Sequence, residues 1–323
     1  MQIQQKEETA ALSDKKVPFG FFKTKLKALG RMVWKYRAGY IMAAPLMLGL
    51  VLFSFYPFVY GLGLSFFHKT DKLMQFAGFD NFIALMQDSL FWKSMATMGK
   101  IFFFKVLIGI VAPLVMAELI FGVRSEKMQN VFRILVLLPM VAPGVVGMLI
   151  WKQIYAVDGG VFNEILKALG IIAKDIDWLG DSHYVLFSIV FLGFPWVGGT
   201  SVLIYMSGMM AISGEVFEAS RLDGCTTLRR IFYIDLPLLR GQIRYFLVFG
   251  IIGALQDYSV QVVLTGGGPN QFDTYVPGYY MYKMAFTNNN FGYAASIGTV
   301  IFVLAGLFTI IAYKFTGEKK EEV

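Results

Sequence analysis

Six runs of apolar residues separated by short polar segments organise the chain: 39–67, 97–123, 131–151, 184–212, 245–264 and 293–315. An α-helix rises 1.5 Å per residue, so roughly 20 apolar residues cross about 30 Å of hydrocarbon. Each run is long enough, and the pattern predicts an all-α polytopic membrane protein with six transmembrane helices. Pro45, Pro57, Pro113, Pro139, Pro143 and Pro195 are expected to kink or break several of them. The implied organisation is a polar tail at 1–38, a first span at 39–67, a five-helix core at 97–315 containing a patterned loop at 213–243, and a second tail at 316–323.

Composition agrees with that reading. With 56% hydrophobic residues and 31 Phe in 323, the chain carries more apolar surface than a soluble domain of this length buries. The net charge of +7 would suit nucleic acid, but the cations sit between the apolar runs. They crowd the first tail (Lys15, Lys16, Lys23, Lys25, Lys27, Arg31) and the loop with Arg221, Arg229, Arg230, Arg240 and Arg244. That distribution orients a protein in a lipid bilayer, with both termini and the 213–243 loop cytoplasmic, and argues against nucleic acid as a partner. Phe22, Leu26, Leu29 and Val33 recur at helical spacing among the basic residues of the tail, as in a helix lying on an anionic membrane surface; a disordered basic tail is the other reading. The basic region is too long for a signal peptide, so an uncleaved anchor is expected. Cys225 is the only cysteine and there are two histidines, which predicts neither a disulfide nor a bound metal.

The 213–243 loop is more ordered than a connector needs to be. Ser213 suits an N-cap, Glu215 the first helical turn, and Val216, Ala219 and Leu222 an apolar edge beside polar Glu218, Arg221 and Asp223. Gly224 interrupts this helix, a second one is expected from Thr226 into Phe232, and Leu236-Pro237 is expected to redirect the chain. On pattern alone this is either a docking surface or a helix pair resting on the bilayer. The spacing, however, resembles the Glu-Ala-Ala, three residues, Gly, nine residues, Ile-x-Leu-Pro signature of the membrane subunits of binding-protein-dependent ABC importers. Glu218, Ala219, Gly224, Ile234, Leu236 and Pro237 fall in register, with Ser220 in place of the second alanine. The resemblance implies a type I importer permease (MetI-like) core whose loop, with Arg221 and Asp223 among its contacts, forms a coupling helix against a cytoplasmic ATPase.

A second likeness bears on cargo. Leu264-Thr265-Gly266-Gly267-Gly268-Pro269 resembles the Leu-Thr-x-Gly-Gly-Pro turn of the sugar-importing branch, as does Phe291-Gly292-Tyr293-Ala294-Ala295-Ser296. From the residues alone the glycines give a tight turn; no Lys follows them at P-loop spacing. The resemblance covers about 91–315, with the first span like the extra helix of that branch. It implies a bacterial inner-membrane location and, as partners, a second homologous permease subunit, two ABC ATPase subunits holding ATP and Mg, an extracytoplasmic solute-binding protein and a carbohydrate, an oligosaccharide above all. No cofactor is expected on this chain.

A carboxylate inside an apolar run is costly unless paired or facing water, which singles out Asp257, flanked by Gln256 and Tyr258 and followed at i+4 by Gln261. These four residues are candidates for the substrate path; the alternative is a structural pair of Asp257 with Lys100 or Lys105. Trp196 and Thr200, beside Pro195, Gly198 and Gly199, could stack against and hydrogen-bond a sugar, or simply pack helices closely. Lys105, Glu118 and Asp257 are the deeper charges, and an acidic sugar would seek Lys105. With no P-loop and no nucleophile–base set, no catalytic residue is expected and the chain is read as a non-enzymatic subunit. A same-fold permease for glycerol-phosphate or an amino acid, and an ion-coupled secondary carrier, are the other readings.

Overall fold

The computed structural model describes residues 34–270 and 272–316; the amphipathic stretch expected at 22–33 lies outside them. The chain divides into two units, 1–60 and 61–323. Helix α1 (Arg37–Leu64) is a 28-residue apolar rod. It runs through Pro45 and takes one wide π turn at Val51–Phe55, just before Pro57. Pro57 has no amide proton and its ring crowds the carbonyl four residues back; the extra residue in the π turn relieves that conflict, with Tyr56 N–H reaching Val51 O.

The second unit begins with a short antiparallel hairpin, β1 (Phe67–Lys69) against β2 (Met74–Phe76), with His68 opposite Gln75. Three-residue strands carry too little alternation to be read from the pattern. Helices follow in order: α2 (Asp80–Gln87), α3 (Ser89–Phe121), α4 (Glu126–Leu137), α5 (Gly144–Ile154), α6 (Val161–Ala168), α7 (Val185–Phe191), α8 (Gly199–Met210), α9 (Gly214–Leu222), α10 (Thr227–Arg230), α11 (Arg240–Gln256), α12 (Pro277–Phe286) and α13 (Phe291–Thr316).

Among the described residues four helical stretches are long and apolar enough to cross a membrane, and two bent pairs raise the number to six if each is one span. Two of the expected spans are therefore not single rods. The run at 131–151 turns by 90° between the end of α4, with its 3₁₀ extension Leu138–Val141, and α5. Pro143 at this corner cannot donate an amide hydrogen bond and drives Ala142 into extended backbone. The second bent pair is α8 with α9, turned by 72° after Met210, and the run at 184–212 is itself interrupted between α7 and α8, around Pro195. Pro113, by contrast, sits inside an unbroken 33-residue α3.

Two apolar clusters form the core. One joins Phe91 and Ile101 of α3 to Ile251 and Leu255 of α11 and Ile297 and Ile301 of α13. The other joins Ala117 and Ile120 of α3 to Tyr205, Met206 and Met209 of α8 and to Leu239. The long α3 is thus common to both. Its first turn is pinned by Asp88, which caps Leu90 N–H at 2.8 Å with one carboxylate oxygen and accepts the Tyr280 and Tyr293 hydroxyls at 2.5 and 2.6 Å with the other. Burial pushes the Asp88 carboxyl up, but the two tyrosine hydroxyls together with the Leu90 and Phe91 amides hold the group below the usual carboxylate range. At the start of α13, Gly292 lets the hairpin approach: a Cβ there would lie 1.9 Å from Phe67 O.

Candidate functional site

The 213–238 segment closes on itself through its own polar residues. Ser213 caps α9 by accepting Glu215 N–H at 3.3 Å. At the far end Gly224 takes φ +69°, with Gly224 N–H on Arg221 O at 3.1 Å and Cys225 N–H on Ser220 O at 2.9 Å. Those two bonds form a Schellman stop, which requires the left-handed residue that glycine supplies without strain. Thr226 then caps α10, accepting Arg229 N–H at 3.4 Å. The helix, glycine bend and second helix expected from the spacing are all present.

One detail differs from expectation. Leu236-Pro237 does not redirect the chain: helical backbone continues through both into Leu238, and only Leu239 interrupts it before α11. A π turn at Ile231–Asp235, in which Leu236 N–H bonds Ile231 O, absorbs Pro237 just as the turn in α1 absorbs Pro57. The apolar edge of α9 faces outward. Val216, Ala219 and Leu222 are exposed, Leu222 by 89%, while Phe217 and Ser220 face inward. Ser220 Oγ donates to Phe217 O at 2.8 Å, so its hydroxyl is satisfied where an alanine would be equally small. Glu218, Arg221, Asp223 and Gly224 are exposed, and Leu236 and Pro237 half-buried.

Beneath this segment lies a buried ionic cluster that the spacing did not disclose. Arg230 Nε donates to Asp235 Oδ2 at 2.9 Å, and Arg230 Nη2 donates to Glu118 Oε2 at 3.1 Å. The Asp235 side chain is fully buried and that of Glu118 is 8% exposed. Burial drives the Asp235 carboxyl above its ordinary value, against the pull of the Arg230 guanidinium. A signal did exist: Glu118, an acid inside an apolar run, had to have a cationic partner.

The residues singled out for a substrate path fall into two neighbourhoods. Asp257 ends α11 and is ion-paired with Lys105 Nζ at 2.7 Å, while its other oxygen accepts Ser259 N–H at 3.0 Å. Of the two lysines weighed for pairing, Lys105 is the one engaged. The expected i, i+4 stripe of Asp257 and Gln261 on one helix is not formed, because the backbone leaves the helix at Asp257 and Tyr258 before a π turn at Gln261–Thr265. Gln256 is exposed; Gln261 is buried with its Oε1 unpartnered, and the Tyr258 ring stacks on Tyr282 at 5.8 Å. Downstream, Gly266, Gly267 and Gly268 have φ of +58°, +112° and +102°, a turn that L side chains resist, closed by Gly268 N–H on Thr265 O at 2.9 Å.

Trp196 occupies the interruption between α7 and α8. Its Nε1 donates to Val190 O at 3.2 Å, and its ring meets Phe191 and Phe194 edge to face at 5.5 and 5.0 Å. Thr200 Oγ1 lies 3.2 Å from the Met140 sulfur, and a Cβ on Gly199 would come within 2.4 Å of Val136 O. The close-packing reading of the glycines therefore holds at Gly199, which lets α8 lie against the end of α4.

Comparison with known proteins fits this arrangement. Residues 109–320 match the family model described as "Binding-protein-dependent transport system inner membrane component". The chain is 30% identical to the probable ABC transporter permease protein YesP of Bacillus subtilis, over 88% of this chain and 94% of that relative. It is 26% identical to the lactose transport system permease protein LacF of Rhizobium radiobacter, over 87% and 95%. In fold it is similar to a chain of a bacterial ABC transporter involved in the import of the acidic polysaccharide alginate, with a TM-score of 0.79, 20% identity, and coverage of 91% of this chain and all of that one. A predominantly helical, membrane-spanning chain with an ordered, outward-facing loop after α8 thus belongs to the family of binding-protein-dependent transport system inner membrane components.

Proposed function

We propose that this chain is one permease subunit of an ATP-driven carbohydrate importer, with an oligosaccharide as cargo, and that it forms half of the translocation path. The subunit is non-catalytic; two partner ATPases hold ATP and Mg, a second homologous permease completes the path, and an extracytoplasmic binding protein delivers the sugar. The reading takes six spans with both termini and the 213–243 loop cytoplasmic, which the excess of Lys and Arg in those segments supports. The lactose and alginate named for the two relatives support a glycan as cargo.

One observation carries the coupling role: α9 turns Val216, Ala219 and Leu222 outward beside Glu218 and Arg221, leaving an apolar edge that nothing among the described residues covers. A helix with such an edge is suited to a partner's cleft. ATP-driven closure of the partner subunits would move α9 as a lever and shift the spans between two packed states. Trp196, Thr200, Gln256, Asp257, Tyr258 and Gln261 are assigned to the sugar path, with the Lys105–Asp257 pair as its charged element.

The test is a pair of substitutions in the reconstituted transporter. Glu218→Lys reverses the charge on the exposed face, and Gly224→Pro forbids the left-handed Schellman residue. Both are expected to abolish ATP-dependent sugar uptake while membrane insertion persists. Normal uptake by either variant would remove the coupling role.

A further inference from the structure

Among the residues of α9, only Phe217 and Ser220 are not exposed, so the grip on those two decides whether the helix can act as a lever. Phe217 meets Phe121, in the last turn of α3, at 5.8 Å between ring centres. The Arg230 guanidinium lies over both rings, 5.6 Å from Phe217 and 5.7 Å from Phe121. The same group reaches Glu118 on α3 and Asp235 in the π turn. One side chain therefore touches α3, α9 and the turn leading to α11.

We infer that Arg230 is a positioning residue that fastens α9 to the last turn of α3, so that movement imposed on the exposed loop reaches the α3 span without slack. The inference rests on the coupling role proposed above. Arginine suits the task because its planar, permanently charged fork can meet two carboxylates at its edge while its faces lie against aromatic rings; a lysine ammonium is a point charge and cannot do both. The cluster is also not arranged for stability alone. Two buried carboxylates share one cation, and among the described residues Glu118 Oε1 and Asp235 Oδ1 receive no N–H or O–H donor from another side chain or the backbone. Apolar replacement of such a group is often no less stable, so what the ionic version adds is a single defined geometry.

Cys225, the only cysteine, lies one residue past the Schellman glycine and supplies a reporter. A second label at Leu119→Cys, on an exposed position of α3, gives a spin-label pair within the assembled transporter, made with cysteine-free partner subunits. With Arg230 in place the distance distribution is expected to be narrow and the same in nucleotide-free and ATP-bound states. In the neutral triple variant Arg230→Met, Glu118→Gln, Asp235→Asn, which leaves no buried charge behind, it is expected to broaden, and stimulation of ATP hydrolysis by the binding protein is expected to fall toward onefold per assembled complex. A merely structural role would lower the yield of complex and leave both readouts unchanged, and that result would overturn the inference. Should the triple variant not assemble, Arg230→Lys is measured instead: a broadened distribution supports the strap and an unchanged one, with stimulation intact, overturns it. Loss of uptake in Glu218→Lys with no effect at Arg230 would refute the strap alone, whereas normal uptake in Glu218→Lys would refute the coupling reading beneath it.

Discussion

Among the ionic sites that tie distant parts of the sequence together, those at Lys105–Asp257 and at Arg230 are built on opposite plans. At Lys105–Asp257 one cation meets one anion, and the side chains remain 26% and 30% exposed. At Arg230 one cation serves two carboxylates, of which Asp235 is fully buried. The first is charge-balanced and partly exposed; the second sets two carboxylates on one cation and is closed. A partly exposed, balanced pair can exchange partners at small cost, whereas a buried one whose guanidinium is set against two aromatic rings holds one geometry. The difference matches the two tasks proposed for this subunit, a path that must let its contacts change and a lever that must not.

The comparison is broken most severely by deleting the buried cation. Arg230→Met strands two carboxylates, and removing one partner from such a site costs about 3–5 kcal/mol; thermal unfolding of the purified transporter should show a large drop, mostly recovered when Glu118→Gln and Asp235→Asn are added. Asp257→Ala should cost far less stability, about 1 kcal/mol or below for a partly solvated pair. Its effect should instead fall on function, shifting the sugar concentration that half-stimulates ATP hydrolysis by about tenfold, which is about 1.4 kcal/mol in binding. An unchanged concentration dependence would take Asp257 out of the path.

Protonation sharpens the contrast further. The Asp235 carboxyl is raised in the folded protein, so the folded state binds its proton more tightly than the unfolded state does. Stability from this group is therefore greatest below the unfolded value and falls as pH rises through the folded one. Asp235→Asn should flatten that loss in a series of unfolding curves from acid to neutral pH. Asp88 runs the other way: with its carboxyl held below the usual 3.8, its contribution is present above that value and disappears as pH falls through the lower folded one. Tyr293→Phe removes one of its two hydroxyl donors, an expected loss of about 1 kcal/mol in the same assay, smaller than any effect at Arg230.

What was legible in the chain follows from the range of each signal. Apolar run length located the four helices long and apolar enough to cross a membrane, and Ser213, Gly224 and Thr226 announced their caps and bend because those preferences are local. The glycine turn after Leu264 was equally local. The 90° corner at Pro143 was only half legible, since Pro113 sits within a helix that runs on unbroken and nothing in either tripeptide separates the cases. The break at Asp257 and Tyr258 has no proline or glycine to mark it; there the carboxylate bonds Ser259 N–H and Lys105 in place of a helical continuation. Pairings across 112 residues, Glu118 to Arg230, and across 152, Lys105 to Asp257, carry no spacing rule. In those places a buried charge showed that a partner must exist, and only the fold showed which one.

The central claim, that the exposed face of α9 receives force from a partner ATPase, can be tested by contact. A photo-crosslinking residue at Leu222, the most exposed apolar position of α9, is compared with one at Leu73 between the strands of the hairpin, which is 50% exposed. In the assembled transporter, irradiation should join Leu222 to the ATPase subunit and Leu73 to none of it. A fully assembled complex in which position 222 yields no ATPase adduct, or in which position 73 does, would contradict the account.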